Sequence, residues 1–214
     1  MFVAPTGKIF MPVSMRLSEK FPVPGDVALL YDFVNSIDLR RYAERGVAHE
    51  PHNDLATPAQ LQSWLLARGL LKRGAKISQA EHREALELRE ALRIFLSAMP
   101  GERASAAGPI EALAARFPLG VTASQDRGLD LRPIAARAIS GLGAVLVELV
   151  RLSDSGRLAR VKTCDSSECR WIFYDRSKPS NRRWCSSDRC GNREKTQTYR
   201  DRQRLGVRQS SEGS

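Results

Sequence analysis

Apolar residues along most of this chain recur every three or four positions, which is the spacing of one helical face. The stretch DVALLYDFVNSIDLRR (26–41) follows this pattern along its whole length. Two later stretches also have start signals, because Thr57 can cap a helix with Pro58 in its first turn, and Ser78 and Glu81 match a capping box. The predicted helices are 26–41, 57–71 and 78–99.

The pattern changes in the second half of the chain. A shorter helix is predicted around 109–116, and alternating residues on both sides of QDRG predict a small β-hairpin. The apolar run 134–152 predicts a buried helix, in which Gly141 and Gly143 allow close packing. The fold class is therefore expected to be mainly α: a helical N-terminal domain with a small β-hairpin, followed by a small treble-clef-like β/α module.

Breaks in the pattern divide the chain into four parts. Three prolines and little periodicity before residue 23 predict an extended or partly disordered arm. SDSGR at 153–157 is a polar joint, and the residues after it are too few to hold a core without a metal. The predicted parts are the arm (1–22), a helical domain (23–152), a metal-stabilised module (158–205) and a flexible tail (206–214).

All four cysteines lie within 27 residues, as two C-x4-C pairs separated by fifteen residues. Two thiolate pairs joined by a short excursion suit one tetrahedral Zn²⁺, about 2.3 Å from each sulfur. Four thiolates close the coordination sphere, which predicts a structural ion. A disulfide, redox thiols and an iron–sulfur cluster are the alternatives, and the densely charged surroundings argue against a cluster. The predicted ligands are Cys164, Cys169, Cys185 and Cys190.

Nearly all of the excess positive charge lies in the last quarter of the chain. Of a formal net charge of +10, residues 157–208 contribute 15 − 6 = +9, from their basic and acidic side chains. Such a block indicates contact with a polyanion, most often nucleic acid, and the alternative is a solvated basic face. The stretch after Cys190 is polar nearly all round, which predicts a helix that engages an external partner.

In contact with DNA, cations would neutralise phosphates, while arginine could read guanine and asparagine or glutamine could read adenine. A single short module would contact few bases, which favours a homodimer, although no residue identifies a dimer interface. The predicted nucleic-acid contacts are Arg182, Arg183, Asn192, Arg193, Lys195, Gln197, Arg200, Arg202 and Arg204.

Two sets of motifs resemble a known bacterial family. CRWIFYDRS, RRWCS and CGNREK resemble the CGNR-type zinc finger, whose name is spelled by residues 190–193. LLYDFVNSIDLRR and DLATPAQLQSWLLARGL resemble the opening of ABATE, the helical domain that precedes this finger in the family. The resemblance implies a stress-induced transcription regulator, with a zinc module that binds DNA and a helical domain that binds a stress-related ligand.

Polar and aromatic residues of the helical domain are expected to line a pocket for a small ligand. Asn35 and Asp38 would share one helical face, and the alternative is that they cap or bridge helices. His49 and His52 flank Glu50 in a loop, which could suggest a second metal, but no further ligand stands at a clear spacing. The predicted ligand contacts are Tyr31, Asn35, Asp38, Arg40 and Trp64.

The functional prediction is a DNA-binding transcription regulator whose DNA affinity changes with a small ligand. We expect no enzyme activity, because the chain has no triad order, P-loop or dinucleotide fingerprint. We expect a cytoplasmic protein without membrane contact, because no apolar run is long enough to span a bilayer and no signal-peptide pattern is present. The alternatives are an adaptor whose zinc module docks an acidic protein, and an enzyme acting on a small ligand.

Overall fold

The chain forms two compact units. The first extends to Ile37 and resumes from Asn53 to Leu158, and the second combines Asp38–His52 with the chain from Ala159 onward. We expected Asp38–His52 in the helical domain, but this segment folds with the second unit. The computed structural model describes residues 16–21, 23–44, 47–126 and 128–211.

The secondary structure of the described residues is mainly α with small antiparallel hairpins, as predicted. The helices are α1 (Leu17–Lys20), α2 (Ala28–Val34), α3 (Pro58–Ala67), α4 (Gln79–Ser97), α5 (Gly108–Ala114), α6 (Gly143–Asp154) and α7 (Asn192–Ser211). The strands are β1 (Ile37–Asp38), β2 (Ala43–Glu44), β3 (Val47–Ala48), β4 (His52–Asn53), β5 (Leu119–Ser124), β6 (Gly128–Pro133), β7 (Val161–Thr163) and β8 (Ile172–Tyr174). Strand β1 pairs with β4, β2 with β3, β5 with β6, and β7 with β8. Over the described ranges, no helix combines the length and the apolar character needed to cross a membrane.

Local signals position α3 and α4 as predicted. Pro58 occupies the first turn of α3, and Ser78 and Glu81 form a capping box at the start of α4. His82, which we expected to face solvent, is buried, and its Nε2 lies 2.8 Å from the Leu55 carbonyl oxygen. The residues predicted for the core stripe of α4 are all buried: Ala85, Leu88, Leu92, Phe95 and Leu96.

Helix α2 ends at Val34, well before the predicted end at residue 41. Ser36 Oγ donates to a carbonyl of the last turn at 2.7 Å, and Arg93 Nη1, from α4, donates to the Val34 carbonyl at 2.6 Å. These donors satisfy carbonyls that a longer helix would have used itself. Asn35 stands at the C-terminal end of α2 and Asp38 lies in β1, so the prediction that they share a helical face is wrong.

The two ends of the described chain contain more helix than expected. Part of the predicted arm, Leu17–Lys20, forms one helical turn, and the amide of Ser18 donates to Asp32 Oδ1 at 2.7 Å. Helix α7 continues to Ser211, where we had predicted a flexible tail from residue 206. The rest of the predicted arm and the end of the predicted tail lie outside the described residues, at 1–15, 22 and 212–214.

The β5–β6 hairpin and α6 lie close to the predicted positions. The hairpin is antiparallel, with Leu119 opposite Pro133 and Ser124 opposite Gly128. The helix predicted over 134–152 starts later than expected, because residues 134–137 are irregular and Ala138–Leu142 form a 3₁₀ segment before α6. A β-carbon placed on Gly141 would lie 2.0 Å from the Leu70 carbonyl oxygen, so only glycine permits this close approach.

The carboxylate of Glu148, on α6, satisfies backbone donors at the start of α2. Its Oε2 accepts the Leu30 amide at 2.8 Å. Burial raises the pKa of Glu148 to about 7, although backbone hydrogen bonds from Leu30 and Leu29 act in the opposite direction. The folded state therefore holds a proton that the unfolded chain releases near its ordinary pKa of 4.5. Protonated Glu148 therefore stabilises the folded state. This contribution to the free energy of unfolding is complete below the ordinary pKa of 4.5 and is lost as the pH rises through about 7.

Glutamine at position 148 removes this charge but keeps an acceptor for Leu30. We expect Glu148→Gln to raise the free energy of unfolding by about 1–3 kcal/mol at pH 8 and by much less at pH 5. Urea unfolding followed by circular dichroism at both pH values measures the difference. Glu111→Gln, at an exposed position of α5, is the control. A gain for Glu148→Gln that is the same at both pH values would contradict the raised pKa.

Candidate metal centre and nucleic-acid interface

The four predicted cysteines form one cluster in the second unit. Their sulfur atoms all lie within 4.8 Å of one another, and no disulfide joins them. Cys169 Sγ is 3.6 Å from Cys185 Sγ, which in turn is 3.7 Å from Cys190 Sγ. Thiolates about 2.3 Å from one tetrahedral ion are separated by about 3.8 Å, whereas a disulfide requires about 2.05 Å. The cluster therefore has the dimensions of a site for a single tetrahedral metal ion.

The first cysteine pair lies on a turn between β7 and β8. The Cys164 amide donates to the Trp171 carbonyl at 2.8 Å and so extends the strand pair to the first ligand. Within the turn, the Cys169 amide donates to the Ser166 carbonyl at 3.0 Å, and Arg170 has a φ of 52°. This left-handed residue reverses the chain and brings both thiols to the same side.

Between the cysteine pairs, the sequence RWIFYDRSKPSNRRW (170–184) predicts a strand, a turn and a second strand. The strand that pairs with β8 is not the predicted one. We expected RRW (182–184) to return as the second strand, but β8 pairs with β7, with Val161 opposite Tyr174. The chain at 182–184 is irregular, and there the Arg183 carbonyl accepts the Asp165 amide at 2.9 Å. The RRW segment therefore bonds to the first cysteine turn instead of forming a strand.

The second cysteine pair lies at a π-helical turn that precedes α7, with Cys185 before the turn and Cys190 within it. This turn covers Ser187–Gly191, and the Gly191 amide donates to the Ser186 carbonyl at 3.0 Å. The Ser186 hydroxyl accepts the Arg189 amide at 3.3 Å, and Asn192 Nδ2 donates to the Asp188 carbonyl at 3.2 Å. The turn therefore joins the last cysteine directly to the first residues of α7.

Crowding of the four thiols changes their acidity. Hydrogen bonds from the other cysteine thiols, Cys164 first, hold the pKa of Cys190 well below its usual range, and Arg193 adds to this effect. The same crowding raises the pKa of Cys185, again through Cys164 first. Four thiolates at these distances repel one another unless a cation lies between them. A metal ion bound among the four sulfurs would therefore reduce this repulsion.

Asp175, which sequence reasoning did not select, organises the loop between the cysteine pairs. Its carboxylate is fully buried and accepts Lys162 Nζ at 2.8 Å. It also accepts the Ser177 amide and hydroxyl at 3.0 and 2.7 Å, and the Arg182 amide at 2.9 Å. Burial alone would raise the pKa of Asp175, but Lys162 and these hydrogen bonds lower it well below its usual range.

Segment Asp38–His52 packs within the second unit through two arginine–aromatic contacts. The Arg40 guanidinium lies 4.6 Å from the ring centre of Trp171, between the cysteine pairs. In the opposite direction, the Arg193 guanidinium of α7 lies 3.6 Å from the ring centre of Tyr42. Arg193 Nη2 also donates to Cys190 Sγ at 3.6 Å. Arg193 therefore contacts both this segment and a predicted metal ligand.

The nine predicted nucleic-acid contacts differ in their surroundings. Three of them bond within the unit: Arg182, Asn192 and Arg193. Arg182 Nη2 donates to the Cys185 carbonyl at 2.8 Å, Asn192 bonds to the Asp188 carbonyl, and Arg193 contacts Tyr42 and Cys190. Arg183 pairs at the surface with Asp165 at 2.7 Å. The remaining described side chains are exposed on α7: Lys195, Gln197, Arg200 and Arg202. The side chain of Arg204 lies outside the described residues.

Helix α7 exposes an aromatic residue between two cations. Lys195, Tyr199 and Arg202 are spaced at i, i+4 and i+7, which places them on one helical face. The Tyr199 side chain is 64% exposed, a high value for a large aromatic residue. A ring flanked by cations can contact both a base or sugar and the adjacent phosphates. The spacing alone could have identified Tyr199, which the sequence analysis did not select.

The residues predicted to bind a ligand are divided between the two units. Tyr31, Asn35 and Trp64 are buried in the first unit. Asp38 and Arg40 belong to the second, where Arg40 Nε donates to Asp38 Oδ1 at 2.8 Å. Burial would raise the pKa of Asp38, but Arg40 lowers it overall. Ligand binding by these five residues stays a prediction.

Comparison with known proteins identifies two families in chain order. A family model described as ABATE, "Putative stress-induced transcription regulator", matches residues 27–153. A second, described as the CGNR zinc finger, matches residues 160–203. A search of curated proteins finds no match to this chain. The two family models confirm the resemblance inferred from the sequence motifs, and the ABATE match includes the segment Asp38–His52.

Proposed function

Because the chain belongs to the ABATE family and contains a CGNR zinc finger, we propose that it is a transcription regulator that binds DNA through this finger. The ion is Zn²⁺, bound by Cys164, Cys169, Cys185 and Cys190. Its role is structural, since four thiolates complete a tetrahedral sphere without a position for substrate. The function requires no catalysis.

The exposure of α7 is the observation that most supports DNA binding. All side chains from Lys195 to Arg200 are exposed, so this stretch has no apolar face packed against a core. Its first turn follows Cys190 directly and is anchored by Arg193. A basic helix that is fixed at one end and exposed from Lys195 to Arg200 suits contact with a polyanion. Its cations supply the phosphate contacts, and Tyr199 supplies an apolar surface between them.

Removing two cations from the exposed face of α7 tests the proposed interface. We expect K195A/R202A to weaken binding to duplex DNA by about tenfold or more at about 150 mM salt, which is close to physiological ionic strength. The slope of log affinity against log salt should become shallower by about 2, because two phosphate contacts are lost. Fluorescence anisotropy with duplexes selected from a genomic pool measures both quantities.

The control removes the same charge from the first unit. K72A/R73A replaces two exposed basic residues outside the zinc finger and should leave the affinity and the salt slope unchanged. If both double variants weaken binding equally, the contact depends on net charge and the α7 interface is rejected. A shallow salt slope for the wild type, with no preference among duplexes, would favour the adaptor that docks an acidic protein.

The second part of the proposed function is sensing of a small ligand by the helical unit. A pocket of about 640 Å³ in this unit supports the idea, because it has the volume of a metabolite site and charged residues in its lining. The lining residues are Gly25, Asp26, Glu148, Arg151, Asp154, Ser155 and Arg157. A compound that binds here should change DNA affinity, and DNA should change its affinity by the same factor. Equal affinities with and without DNA would reject sensing.

A further inference from the structure

We propose that Asp38, His49 and His52 form a second metal site, separate from the cysteine cluster, for a divalent transition ion such as Zn²⁺ or Co²⁺. One ligand atom from each residue lies within 4.8 Å of the other two. Asp38 Oδ2 is 2.9 Å from His49 Nε2, a distance compatible with two ligands of one ion. The donors are two imidazole nitrogens and one carboxylate oxygen, a set that suits zinc, nickel or cobalt rather than magnesium or calcium.

The environment of His49 Nε2 supports a cation at this position. This atom is buried and makes no hydrogen bond, although it lies 2.9 Å from a carboxylate oxygen of Asp38. The contact has the distance of an ion pair but not the direction of a hydrogen bond. When Nε2 carries no proton, its lone pair and a lone pair of Asp38 Oδ2 can bind one ion placed beside this contact. A metal ion bound to both atoms would satisfy them.

Neighbouring side chains hold Asp38 and His49 in place. Asp38 Oδ1 accepts the Arg40 amide at 3.1 Å and Arg40 Nε at 2.8 Å. Asp38 Oδ2 accepts Arg40 Nε at 3.0 Å and also Arg40 Nη2, so a metal ion at Oδ2 would shift the Arg40 guanidinium toward Oδ1. The His49 ring stacks on Tyr42, with ring centres 5.7 Å apart and planes at 25°. Such outer contacts are typical of metal ligands.

The proposed ligands also stand at both ends of one segment. Asp38 and His52 are the first and last residues of the segment that folds with the second unit. The pairing of β1 with β4 already brings these ends together, and an ion between Asp38 and His52 would add a second link that opposes their separation. The exposure of His52 leaves one side of the site accessible, so that water can complete the coordination. The ion would therefore stabilise the segment that places Tyr42 against Arg193.

The test uses the full chain with one Zn²⁺ already bound, as measured by mass spectrometry, and adds Co²⁺ while recording calorimetry and absorption. We expect one further equivalent to bind, with weak d–d absorption and without thiolate-to-cobalt charge transfer. His52→Ala, which removes an exposed ligand and leaves the fold intact by circular dichroism, should lower the Co²⁺ affinity by at least about tenfold. His49→Ala should do the same.

Glu50→Gln is the matched control, because Glu50 is an exposed acid of the same loop and is not among the proposed ligands. It should bind Co²⁺ as the wild type does. The proposal is overturned if no second equivalent binds, or if His52→Ala binds Co²⁺ unchanged. It is also overturned if Glu50→Gln loses as much affinity as the histidine variants, or if thiolate charge transfer shows that Co²⁺ has only replaced Zn²⁺ among the cysteines.

Discussion

Cys185→Ser should abolish both stable zinc binding and DNA binding by the full chain. Its sulfur lies 3.6 and 3.7 Å from those of Cys169 and Cys190, so its loss opens the tetrahedron between the two cysteine turns. A module of this size obtains much of its folding free energy from the ion. We expect less than one zinc per chain after dialysis against a chelator, and DNA affinity lower by at least about 100-fold.

Ser187→Ala is the control for this prediction, because Ser187 is an exposed residue of the same turn. Mass spectrometry of the metal content and anisotropy with duplex DNA, run on both variants, measure the effect. The four-thiolate centre would be rejected if the Cys185→Ser variant still held one zinc and bound DNA like the wild type. Loss of zinc with unchanged DNA binding would keep the centre but separate it from DNA recognition.

Asp175→Asn should produce the second large effect, although Asp175 is not a metal ligand. The asparagine leaves Lys162, which is 18% exposed, without its counter-ion inside the unit. Removing one partner of a buried ion pair costs about 3–5 kcal/mol. The free energy of unfolding of the second unit and its zinc affinity should both fall, because this carboxylate holds the loop between the cysteine turns. In the wild type, the stabilisation from Asp175 is present above its ordinary pKa of 3.8 and is lost at lower pH.

Asp165→Asn makes the same chemical change at an exposed site of the same module. Asp165 pairs with Arg183 at 2.7 Å, but both side chains are exposed, so its loss should cost less than about 1 kcal/mol. Competition with a chromophoric zinc chelator and urea unfolding followed by tryptophan fluorescence distinguish the two variants. Equal losses for both would show that burial of Asp175 adds nothing to the pairing.

The contacts of Arg193 change the interpretation of the CGNR motif. The sequence places this arginine among the cations that could bind DNA, yet its guanidinium contacts Tyr42 and Cys190. Asn192 likewise bonds to the Asp188 carbonyl. The last two residues of the motif therefore connect the metal cluster to α7 and to the segment Asp38–His52. If the chain binds DNA, we expect the contacts at exposed positions further along the helix, such as Lys195 and Arg202.

Much of the candidate site could be predicted because its signals are local. The spacing of the cysteines, the composition of the stretch after Cys190 and the capping box at Ser78 each act within a few residues. The end of α2 could not be predicted, because Arg93 from a different helix supplies the donor to the Val34 carbonyl. The predicted partner of β8 was also wrong. Strand β8 pairs with β7, and residues 182–184 bond to the first cysteine turn instead of forming a strand.

By itself, the sequence determined the mainly α fold class, the four-cysteine cluster and the basic character of α7. These depend on periodicity, on spacing and on side-chain charge, which are properties of the linear chain. Only the tertiary structure decided that Asp38–His52 folds with the zinc finger, that Asp175 bonds to Lys162, and that Asp38, His49 and His52 converge. Each of these depends on burial and on contacts between residues separated along the chain, and no local pattern encodes them.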